Sequence, residues 1–491
     1  MADPEMKTAT APHQAWRAGR HKLADSFLRF WTLIFLLCLP WDFLLAQEAE
    51  SSAPELEWFV EAADRDDAVA AAALARIAAE WDNRYASLVV DLVQVVQKRD
   101  DGYRILERLT GFLEAQTGLA FGLDLKQWRR WLVSLPYKPH PHYLRFKSFV
   151  YQAVDPSMSQ FFPPEVNARI RLDEIEWGGV RVNGIPPLDM PGHIPASEAG
   201  YLEDSNLIFG VSLNGESRAY PKRILAWHEM ARDNLGGVEF TFVYCTLCGS
   251  AIPYRNEVGG RVYEFGTSGL LFRSNKLMFD KQTMSLWSSI EGSPVVGSLA
   301  DSGLQLQIIP VVTTGWKEWR EAHPETTVLS LDTGHQRDYS EGAAYRDYFA
   351  TQELMFSVQA EDARLQPKDE VLTMLFPSDE GDVRQAIAIS TRLLKENPVF
   401  HFDAGRQLVA LTTPRGASRV YQADTVRFTL LRKDRVQDAQ KRYWRVTEEA
   451  LLLEEGEPER LERVPASQAF WFGWFARFPD TRLIRTGAEA R

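Results

Sequence analysis

The sequence predicts an α+β protein, with an N-terminal α-helical region followed by a β-rich domain of two weakly related halves. Three observations support this prediction. Apolar residues recur at helical spacing through residues 52–165, glycines and short β-like runs follow Pro163-Pro164, and a strand–turn–strand pattern occurs twice after that point. We therefore divide the chain into residues 1–47, 52–165, 168–345 and 346–485.

Residues 1–47 are predicted to be a signal peptide or an N-terminal membrane anchor. Basic residues precede an apolar run from Phe30 to Ala46, which is the order typical of export signals. Asp42 interrupts that run, and Leu44 is larger than the residue preferred three places before cleavage, so retention as an anchor stays open. The sequence thus predicts an exported protein, either periplasmic or attached to the membrane through residues 27–46 and facing the periplasm.

Composition restricts the partners and the thiol chemistry. The formal net charge is −12 and no run is rich in Lys and Arg, which excludes nucleic acid, since phosphate contacts dominate such binding. A small molecule or another protein remains as the partner. Only three cysteines occur, Cys38, Cys245 and Cys248, so the fold is not a disulfide scaffold. Two of the three form one Cys-x-x-Cys motif, which is the main candidate for a functional site.

The helical region is predicted from its caps and its apolar stripes. Asp64-Arg-Asp-Asp67 offers N-cap residues before an Ala-rich run, and Asp124 opens a further segment. The stripes that we assign to a bundle core include Leu74, Ile77, Trp81, Leu88, Leu92, Leu106, Leu109, Leu113, Trp128 and Leu132.

The first β-rich half is predicted to contain a hairpin, a helix and a strand that ends at the cysteines. Asn214-Gly215 suits a tight primed turn between two β-like runs. Pro221 to Leu235 is predicted as a helix that carries His228 and Glu229 and stops at two glycines. Val238 to Tyr244 is predicted as a strand, with the Cys-x-x-Cys motif at its exit.

The second half repeats this pattern without the thiols. Gln407 to Tyr421 mirrors Phe240 to Tyr254, and a single offset aligns Gly416 with Gly249. The same offset places Thr412 and Arg415 where Cys245 and Cys248 stand.

A set of short motifs resembles one known family. The motifs are Ala219-Tyr-Pro, Trp227-His-Glu229, Tyr244-Cys-Thr-Leu-Cys-Gly-Ser-Ala251, Gly266-Thr-Ser-Gly-Leu-Leu-Phe-Arg-Ser-Asn275, Met278-Phe-Asp280, Ser285-Leu-Trp287 and Phe470-Trp-Phe-Gly-Trp-Phe-Ala-Arg-Phe-Pro-Asp-Thr481. Together they resemble the bacterial family described as domain of unknown function 3179, over about residues 169–481. The resemblance implies where the site lies and implies no particular activity. Thr246 stands where the family usually has proline.

The leading hypothesis from these residues is a metal centre. Two cysteines three positions apart can bind one ion, and thiolates select zinc, copper(I) or iron. We predict copper or zinc held by Cys245, Cys248 and His228, in an oxidoreductase of unidentified substrate. Glu229 and Asp280 are the candidate catalytic residues, which would orient ligands or move protons.

Other interpretations stay open. In a metal-free dithiol oxidoreductase, Cys245 would attack and Cys248 would resolve. The pair could also be a structural staple, or belong to a non-catalytic envelope protein that binds a metal or another ligand. Ser268, Arg273 and Asn275 are predicted to line a cofactor or ligand pocket, because a glycine-bracketed turn and a polar tripeptide interrupt an apolar stretch.

Overall fold

A computed structural model describes residues 55–97, 102–136, 140, 142–356, 358, 362–378 and 381–490. The predicted signal or anchor, its membrane attachment at residues 27–46 and Cys38 lie outside the described residues, so the predicted localisation stays a prediction. Within the described ranges, no helix is long and apolar enough to cross a membrane.

The predicted helical character of the N-terminal region is confirmed, and its described residues form six helices. They are α1 (Leu56–Glu61), α2 (Asp67–Ala79), α3 (Ala86–Val96), α4 (Tyr103–Thr117), α5 (Leu125–Ser134) and α6 (Tyr143–Val154). Asp66 caps α2 by accepting a hydrogen bond from the Ala68 amide at 2.8 Å, and Asp124 caps α5 through the Gln127 amide at 3.1 Å. Helix α3 lies at the centre, since all but one of its side chains are buried. The predicted stripes supply much of this core, including Ile77, Leu92, Leu109 and Trp128.

The first β-rich half contains sixteen strands and two short helices among the described residues. In chain order they are β1 (Ile175–Trp177), β2 (Leu188–Asp189), β3 (His193–Pro195), β4 (Leu207–Leu213), β5 (Glu216–Pro221), α7 (Lys222–His228), β6 (Met230–Leu235), β7 (Val238–Cys245), β8 (Ser250–Arg255), β9 (Glu257–Val258), β10 (Arg261–Val262), β11 (Phe265–Phe272), β12 (Asn275–Asp280), β13 (Leu286–Ser288), β14 (Ser293–Val296), β15 (Val312–Gly315), α8 (Trp316–Ala322) and β16 (Thr327–Leu329). They form the sheets β15-β4-β5-β16-β3, β2-β6-β7-β8, β1-β11-β12-β13-β14 and the small pair β10-β9.

A connecting segment with the short helix α9 (Arg346–Phe349) leads to the second half. Its elements are β17 (Glu370–Ser378), β18 (Gly381–Ser390), α10 (Thr391–Glu396), β19 (Val399–Asp403), β20 (Gln407–Thr412), β21 (Ser418–Gln422), β22 (Phe428–Arg432), β23 (Arg435–Asp438), β24 (Tyr443–Val446), β25 (Ala450–Leu453), β26 (Arg460–Val464), β27 (Ser467–Phe470), α11 (Trp471–Arg477) and β28 (Arg482–Ile484). They form a sheet β27-β17-β18-β28 and an eight-stranded sheet β19-β20-β21-β26-β25-β24-β23-β22.

The two halves share one order of elements, which confirms the predicted relationship between them. Each contains a hairpin and a short helix that lead into three antiparallel strands, and each ends with a strand, a Trp-rich helix and a closing strand. The closing strand pairs in parallel with the second strand of the hairpin in both halves, β16 with β5 and β28 with β18. The proposed boundaries of the segments stay a prediction.

Two side-chain hydrogen bonds also recur at equivalent places. Trp319 Nε1 donates to Thr326 Oγ1 at 2.9 Å in the first half, and Trp474 Nε1 donates to Thr481 Oγ1 at the same distance in the second. Each bond ties a Trp-rich helix to the start of its closing strand, so these residues belong to the scaffold that both halves use.

The predicted helix from Pro221 to Leu235 is wrong in its second part. Helix α7 ends at His228, because Glu229 adopts a left-handed conformation with φ of 57°. The chain then returns as strand β6, which pairs with β7 along its whole length. Strand pairing between distant residues thus overrides the helical pattern of the segment.

The prediction that a single difference in residue number aligns the two halves is also wrong, by one residue on β20. Phe240 and Phe242 of β7 pack into the core of the first hairpin, as Leu408 and Ala410 of β20 pack into that of the second. The last paired residues before the turn are Cys245 and Ser250 in the first half, and Thr413 and Ala417 in the second. The turn that they enclose is therefore one residue shorter in the second half, 414–416 against 246–249. The residue of the second half that is equivalent to Cys245 is therefore Thr413 rather than Thr412. Arg415 remains the equivalent of Cys248.

A buried polar network joins the helices to β1. The Asp91 carboxylate accepts hydrogen bonds from Arg129 Nη2 at 2.6 Å, from the Tyr143 hydroxyl at 2.7 Å and from Lys147 Nζ at 3.1 Å. Lys147 Nζ also donates to the Ile175 carbonyl at 2.7 Å. Burial lowers the pKa of Lys147 to about 8, against the opposing pull of Asp91.

We expect Asp91→Asn to lower the free energy of unfolding by about 3–5 kcal/mol, because it removes the buried carboxylate that pairs with both Arg129 and Lys147. Denaturant unfolding measures this loss. Glu462→Gln, which breaks an exposed pair with Arg460, serves as the control and should cost less than about 1 kcal/mol. Since the folded-state pKa of Lys147 lies below its usual 10.5, the unfolded parent binds more protons between these values, and its stability should rise as the pH goes from about 8 towards 10.5. Equal losses for the two variants would contradict this account.

Candidate functional site

The two cysteines of the motif form a disulfide inside the protein. Cys245 is the last residue of β7 and Cys248 lies in the loop to β8, with their Sγ atoms bonded at 2.08 Å. The two residues are 3% and 0% exposed. Gly249 closes the loop in a left-handed conformation with φ of 63°, which a glycine adopts without strain.

A two-residue turn between β11 and β12 lies against this disulfide. Arg273 and Ser274 both have positive φ angles, 51° and 62°, although such hairpin turns favour Asn and Gly. The Ser274 carbonyl oxygen is 3.6 Å from Cys248 Sγ. A strained conformation of this kind persists only where the surroundings hold it, and such strain concentrates at functional sites.

The surroundings hold the turn through the Arg273 guanidinium. Its Nε donates to Glu174 Oε2 at 2.6 Å, and its Nη1 donates to the Ala476 carbonyl at the end of α11 at 3.2 Å. Glu174 directly precedes β1, at the border of the helical region. The turn beside Cys248 is therefore fixed from two sides.

Helix α11 packs directly on Cys248 through a glycine. A Cβ atom at Gly473 would lie only 2.8 Å from the Cβ of Cys248. The side-chain amide of Asn275 donates to the Gly473 carbonyl at 2.9 Å and so ties the helix to β12. Only a residue without a side chain allows this approach.

A buried lysine and glutamate lie next to the first cysteine. Lys276 Nζ donates to the carbonyl oxygens of Glu229 at 2.8 Å and of Tyr244 at 3.3 Å, and Tyr244 directly precedes Cys245. The same Nζ is 3.6 Å from Glu229 Oε2. Three oxygens from two chain segments thus surround one buried ammonium group.

Burial moves the pKa values of this pair towards each other. Loss of solvent raises the pKa of the Glu229 carboxyl group, while the Lys276 charge and the Thr246 side chain pull it down. Loss of solvent likewise lowers the pKa of Lys276, against the pull of Glu229. Buried groups whose pKa values are shifted in this way are candidates for accepting and releasing protons.

Aromatic side chains cover the disulfide from outside. The Tyr348 hydroxyl, from α9, donates to the Leu247 carbonyl at 2.8 Å, and the Phe470 amide donates to the Cys248 carbonyl at 2.7 Å. The rings of Phe349 and Phe470 lie 6.2 Å apart in the same cluster. These rings exclude water from the two sulfurs.

His228 makes its contacts away from the cysteines. Its Nδ1 donates to the Pro186 carbonyl at 2.8 Å, and its Nε2 accepts a hydrogen bond from the Tyr339 hydroxyl at 2.6 Å. Burial lowers the pKa of His228 to about 4, so the ring is neutral at physiological pH. Both ring nitrogens are therefore occupied.

The donor atoms predicted for copper or zinc do not assemble into a metal centre in this arrangement. Cys245 and Cys248 are bonded to each other, and His228 is bonded elsewhere. Across the residues that the structure describes, no group of three or more His, Cys, Asp or Glu side chains could hold a metal ion. Metal binding by the reduced thiols stays a prediction.

Asp280 stabilises a turn that both halves contain. Its carboxylate accepts hydrogen bonds from Trp287 Nε1 at 2.9 Å and from the Thr283 amide and hydroxyl at 2.6 and 2.8 Å. In the second half, Asp438 accepts from Trp444 Nε1 at 3.1 Å in the same way. These hydrogen bonds give Asp280 a structural role in the turn. Its predicted catalytic role stays a prediction.

Ser268 likewise makes its hydrogen bonds to the backbone of its own sheet. Its hydroxyl donates to the Leu277 carbonyl at 2.6 Å and accepts from the Leu270 amide at 3.0 Å, across a bulge in β11. Of the predicted site residues, the structure brings together five, which are Glu229, Cys245, Cys248, Arg273 and Asn275. Ser268, Asp280 and His228 make their contacts elsewhere.

Four further residues at the site were not predicted. Lys276 carried a signal, since a lysine follows the polar tripeptide inside an otherwise apolar strand. Phe470 and Gly473 lie in a motif that carries the family resemblance, but nothing in the sequence placed that motif at the cysteines. Tyr348 carried no signal, because it reaches the cysteines from about 100 residues away.

The family comparison agrees with the resemblance of the motifs. The model described as "Protein of unknown function (DUF3179)" matches residues 182–481, well over half of the chain. The matched range contains both cysteines, the Arg273–Ser274 turn, Lys276 and Gly473, and it begins after the helical region. No curated protein and no solved structure matches the chain.

We expect Gly473→Ala to lower the free energy of unfolding by about 1–3 kcal/mol, because the new methyl group overlaps Cys248. Chemical denaturation measures the change. The control is Gly111→Ala in α4, where a Cβ meets nothing within 4 Å, and we expect it to stabilise by about 0.5–1 kcal/mol. If Gly473→Ala is as stable as the parent, α11 is not held against the disulfide as described.

Proposed function

The chain belongs to the family of proteins of unknown function DUF3179, and we propose that it is a thiol–disulfide oxidoreductase. Cys245 and Cys248 cycle between a disulfide and two thiols, and Glu229 and Lys276 accept and donate the protons of the reaction. The observation that carries the proposal is the comparison of the two halves, because the second half makes the same strand–loop–strand turn without cysteines.

That comparison weighs against a structural staple. In the second half, the Thr413 hydroxyl accepts a hydrogen bond from the Ala417 amide at 3.1 Å, and the Gly416 amide donates to the Thr413 carbonyl at 2.9 Å. Hydrogen bonds alone therefore close the equivalent turn. Chain entropy attributes only about 2 kcal/mol to a disulfide across so short a loop. The fold has little need of the sulfur–sulfur bond, which favours a chemical role.

The buried pair supports the same proposal. Burying an ammonium group and a carboxylate together costs desolvation that their attraction does not always recover. The pair lies beside Cys245, and the reactive form of a cysteine is the thiolate, which a nearby cation stabilises. Cys245 is thus the better candidate for the sulfur that exchanges, with Lys276 as the stabilising cation.

The reaction balances as two exchange steps. A substrate thiolate attacks Cys245 Sγ, the Cys245–Cys248 bond breaks, and Cys248 leaves as a thiolate that takes up a proton. A second substrate thiolate then attacks the substrate sulfur of the mixed disulfide, and Cys245 leaves and is protonated from the Glu229–Lys276 pair. Two electrons pass from two substrate thiols to the protein, and a partner disulfide restores the oxidised form by the reverse sequence.

The metal hypothesis remains as the competing outcome. Two thiolates released by reduction are suitable ligands for zinc or copper(I), but they would need at least one further ligand. In the present arrangement the predicted third ligand, His228, is engaged on both nitrogens. An exported location, as predicted for this chain, would favour the oxidised pair.

The proposal predicts that the folded protein equilibrates with thiol redox buffers in a single two-electron transition. Alkylation followed by intact-mass measurement counts the free thiols at each buffer ratio, and Cys245→Ser and Cys248→Ser should each abolish the transition. A disulfide that excess dithiothreitol leaves intact in the folded protein would overturn the proposal. Stoichiometric zinc or copper in the reduced protein, lost in Cys245→Ser and His228→Ala, would favour the metal centre instead.

We expect Glu229→Gln to slow the exchange by about 100-fold, at the low end of what general acid–base catalysis contributes. Because the pKa of Glu229 is raised above 4.5, the parent rate should show one titration step above that value, and the variant should lack it. Stopped-flow mixing with a small thiol across a pH series measures both effects. Glu264→Gln, at an exposed pair with Lys281, is the matched control and should keep the parent profile.

A further inference from the structure

One short helix, α9, covers the disulfide. Its Tyr348 side chain belongs to the same apolar cluster as the two cysteines, and the rings of Tyr345 and Phe349 pack against that cluster. Cys245 and Cys248 are 3% and 0% exposed, so a substrate thiol does not reach either sulfur while every neighbouring element stays in place. Thiol–disulfide exchange therefore requires one of these elements to move.

The other elements around the disulfide are held by extensive packing. Strand β7 pairs with β6 on one side and with β8 on the other, and the turn beside Cys248 is fixed through Arg273. Helix α11 contacts Cys248 at Gly473 and buries the large side chains of Trp471 and Trp474. Moving any of these elements would break a strand ladder or expose a buried tryptophan.

Helix α9 has much less to hold it. It is four residues long, and no other helix or strand occurs among the described residues between the end of β16 and the start of β17. Of residues 341–356, all of which the structure describes, Ala344 and Tyr348 alone are buried. Segments with few buried apolar contacts open at a lower free-energy cost than the global unfolding of the protein.

Two polar side chains fasten α9 over the site. The Tyr348 hydroxyl donates to the carbonyl of Leu247, which lies between the two cysteines, at 2.8 Å. The buried Lys368 Nζ donates to the carbonyl of Tyr348 and, at 2.8 Å, to that of Thr351. Lys368 lies just before β17, so it fixes the end of α9 to the sheet of the second half.

The chain that enters α9 has the properties of a hinge. Gly342 has a φ of 70°, and a Cβ at this position would meet nothing within 4 Å. Tyr345, directly before α9, also has a positive φ of 58°, which is unfavourable for a residue with a large side chain. A backbone held in such a conformation gains free energy when the segment is released.

We propose that α9 is a lid over the Cys245–Cys248 disulfide, which opens to admit the substrate thiol. Tyr348 and Lys368 hold the lid closed, and the chain from Gly342 to Tyr345 is the hinge. The lid opens while both halves of the β-rich domain stay folded. This inference rests on the proposed thiol–disulfide function, for which it supplies the control of access to the sulfurs.

Alkylation of a single thiol measures the opening without any redox step. A full-length chain that carries Cys38→Ser and Cys248→Ser keeps Cys245 alone, and intact mass follows its reaction with iodoacetamide at one pH. We expect Tyr348→Phe to raise the rate about fivefold, because one hydrogen bond that favours the closed lid is lost. Lys368→Met should raise it about tenfold or more, because a charged donor is lost.

The matched control separates local opening from global unfolding. Tyr421→Phe removes a bond of the same kind in the second half, from the tyrosine hydroxyl to the Thr447 carbonyl at 2.6 Å, and should leave the alkylation rate unchanged. Low concentrations of urea should also change the parent rate little, because a local opening exposes little surface. Equal acceleration by Tyr348→Phe and Tyr421→Phe, no acceleration by Tyr348→Phe, or a parent rate that follows global unfolding in urea would overturn the lid.

Hydrogen–deuterium exchange tests the same opening in the oxidised parent protein. The amides of Phe349 and Ala350, which are hydrogen-bonded within α9, should be deuterated faster than the amide of Phe478 at the end of α11. Equal protection of the two helices would count against the lid. Neither measurement involves a reaction of the disulfide, so a failure here leaves the thiol–disulfide function standing, whereas resistance to dithiothreitol tests that function itself.

Discussion

The site is organised around one ammonium group that has to find oxygen atoms inside the protein. Lys276 points from β12 into the core, where an unpaired cation would be costly, and it takes the carbonyl oxygens of Glu229 and Tyr244. To present its carbonyl there, Glu229 adopts a left-handed conformation, which ends α7 and starts β6. Tyr244 in turn sets the place of Cys245. The need to surround the Lys276 ammonium group with oxygen atoms thus determines where α7 ends, where β6 begins and where the sulfur of Cys245 lies.

The second half separates what the fold needs from what the site adds. Both halves keep the Trp–Thr bond after the Trp-rich helix and the Trp–Asp bond at the turn, so these serve the architecture. Among the described residues, the disulfide and the Glu229–Lys276 pair occur in the first half, whereas the second half buries a different cluster, Glu448 with Arg419 and Arg463. The disulfide and its neighbouring pair are therefore additions to the shared scaffold, and such departures are expected at functional sites.

Local patterns could predict local structure here, and contacts between distant residues could not be predicted. The helical stripes, the Asn214-Gly215 hairpin and the strand that ends at Cys245 depend on neighbouring residues, and each is present. The helix to Leu235 failed because pairing with β7 decides that segment. His228 was assigned to the cysteines by proximity in sequence, yet the early end of α7 leaves its ring facing Tyr339. Tyr348, Phe470 and Gly473 reach the site only through tertiary packing.

The short strand β1 matters for more than the position of Glu174. It pairs with β11 along Leu270 to Phe272 and covers what would otherwise be the edge strand of a four-stranded sheet. The family match begins at residue 182, after β1. A chain cut at that point would expose an apolar strand edge, and such edges recruit other chains into aggregates. We therefore expect a chain that begins at residue 182 to aggregate more readily than one that begins upstream of β1.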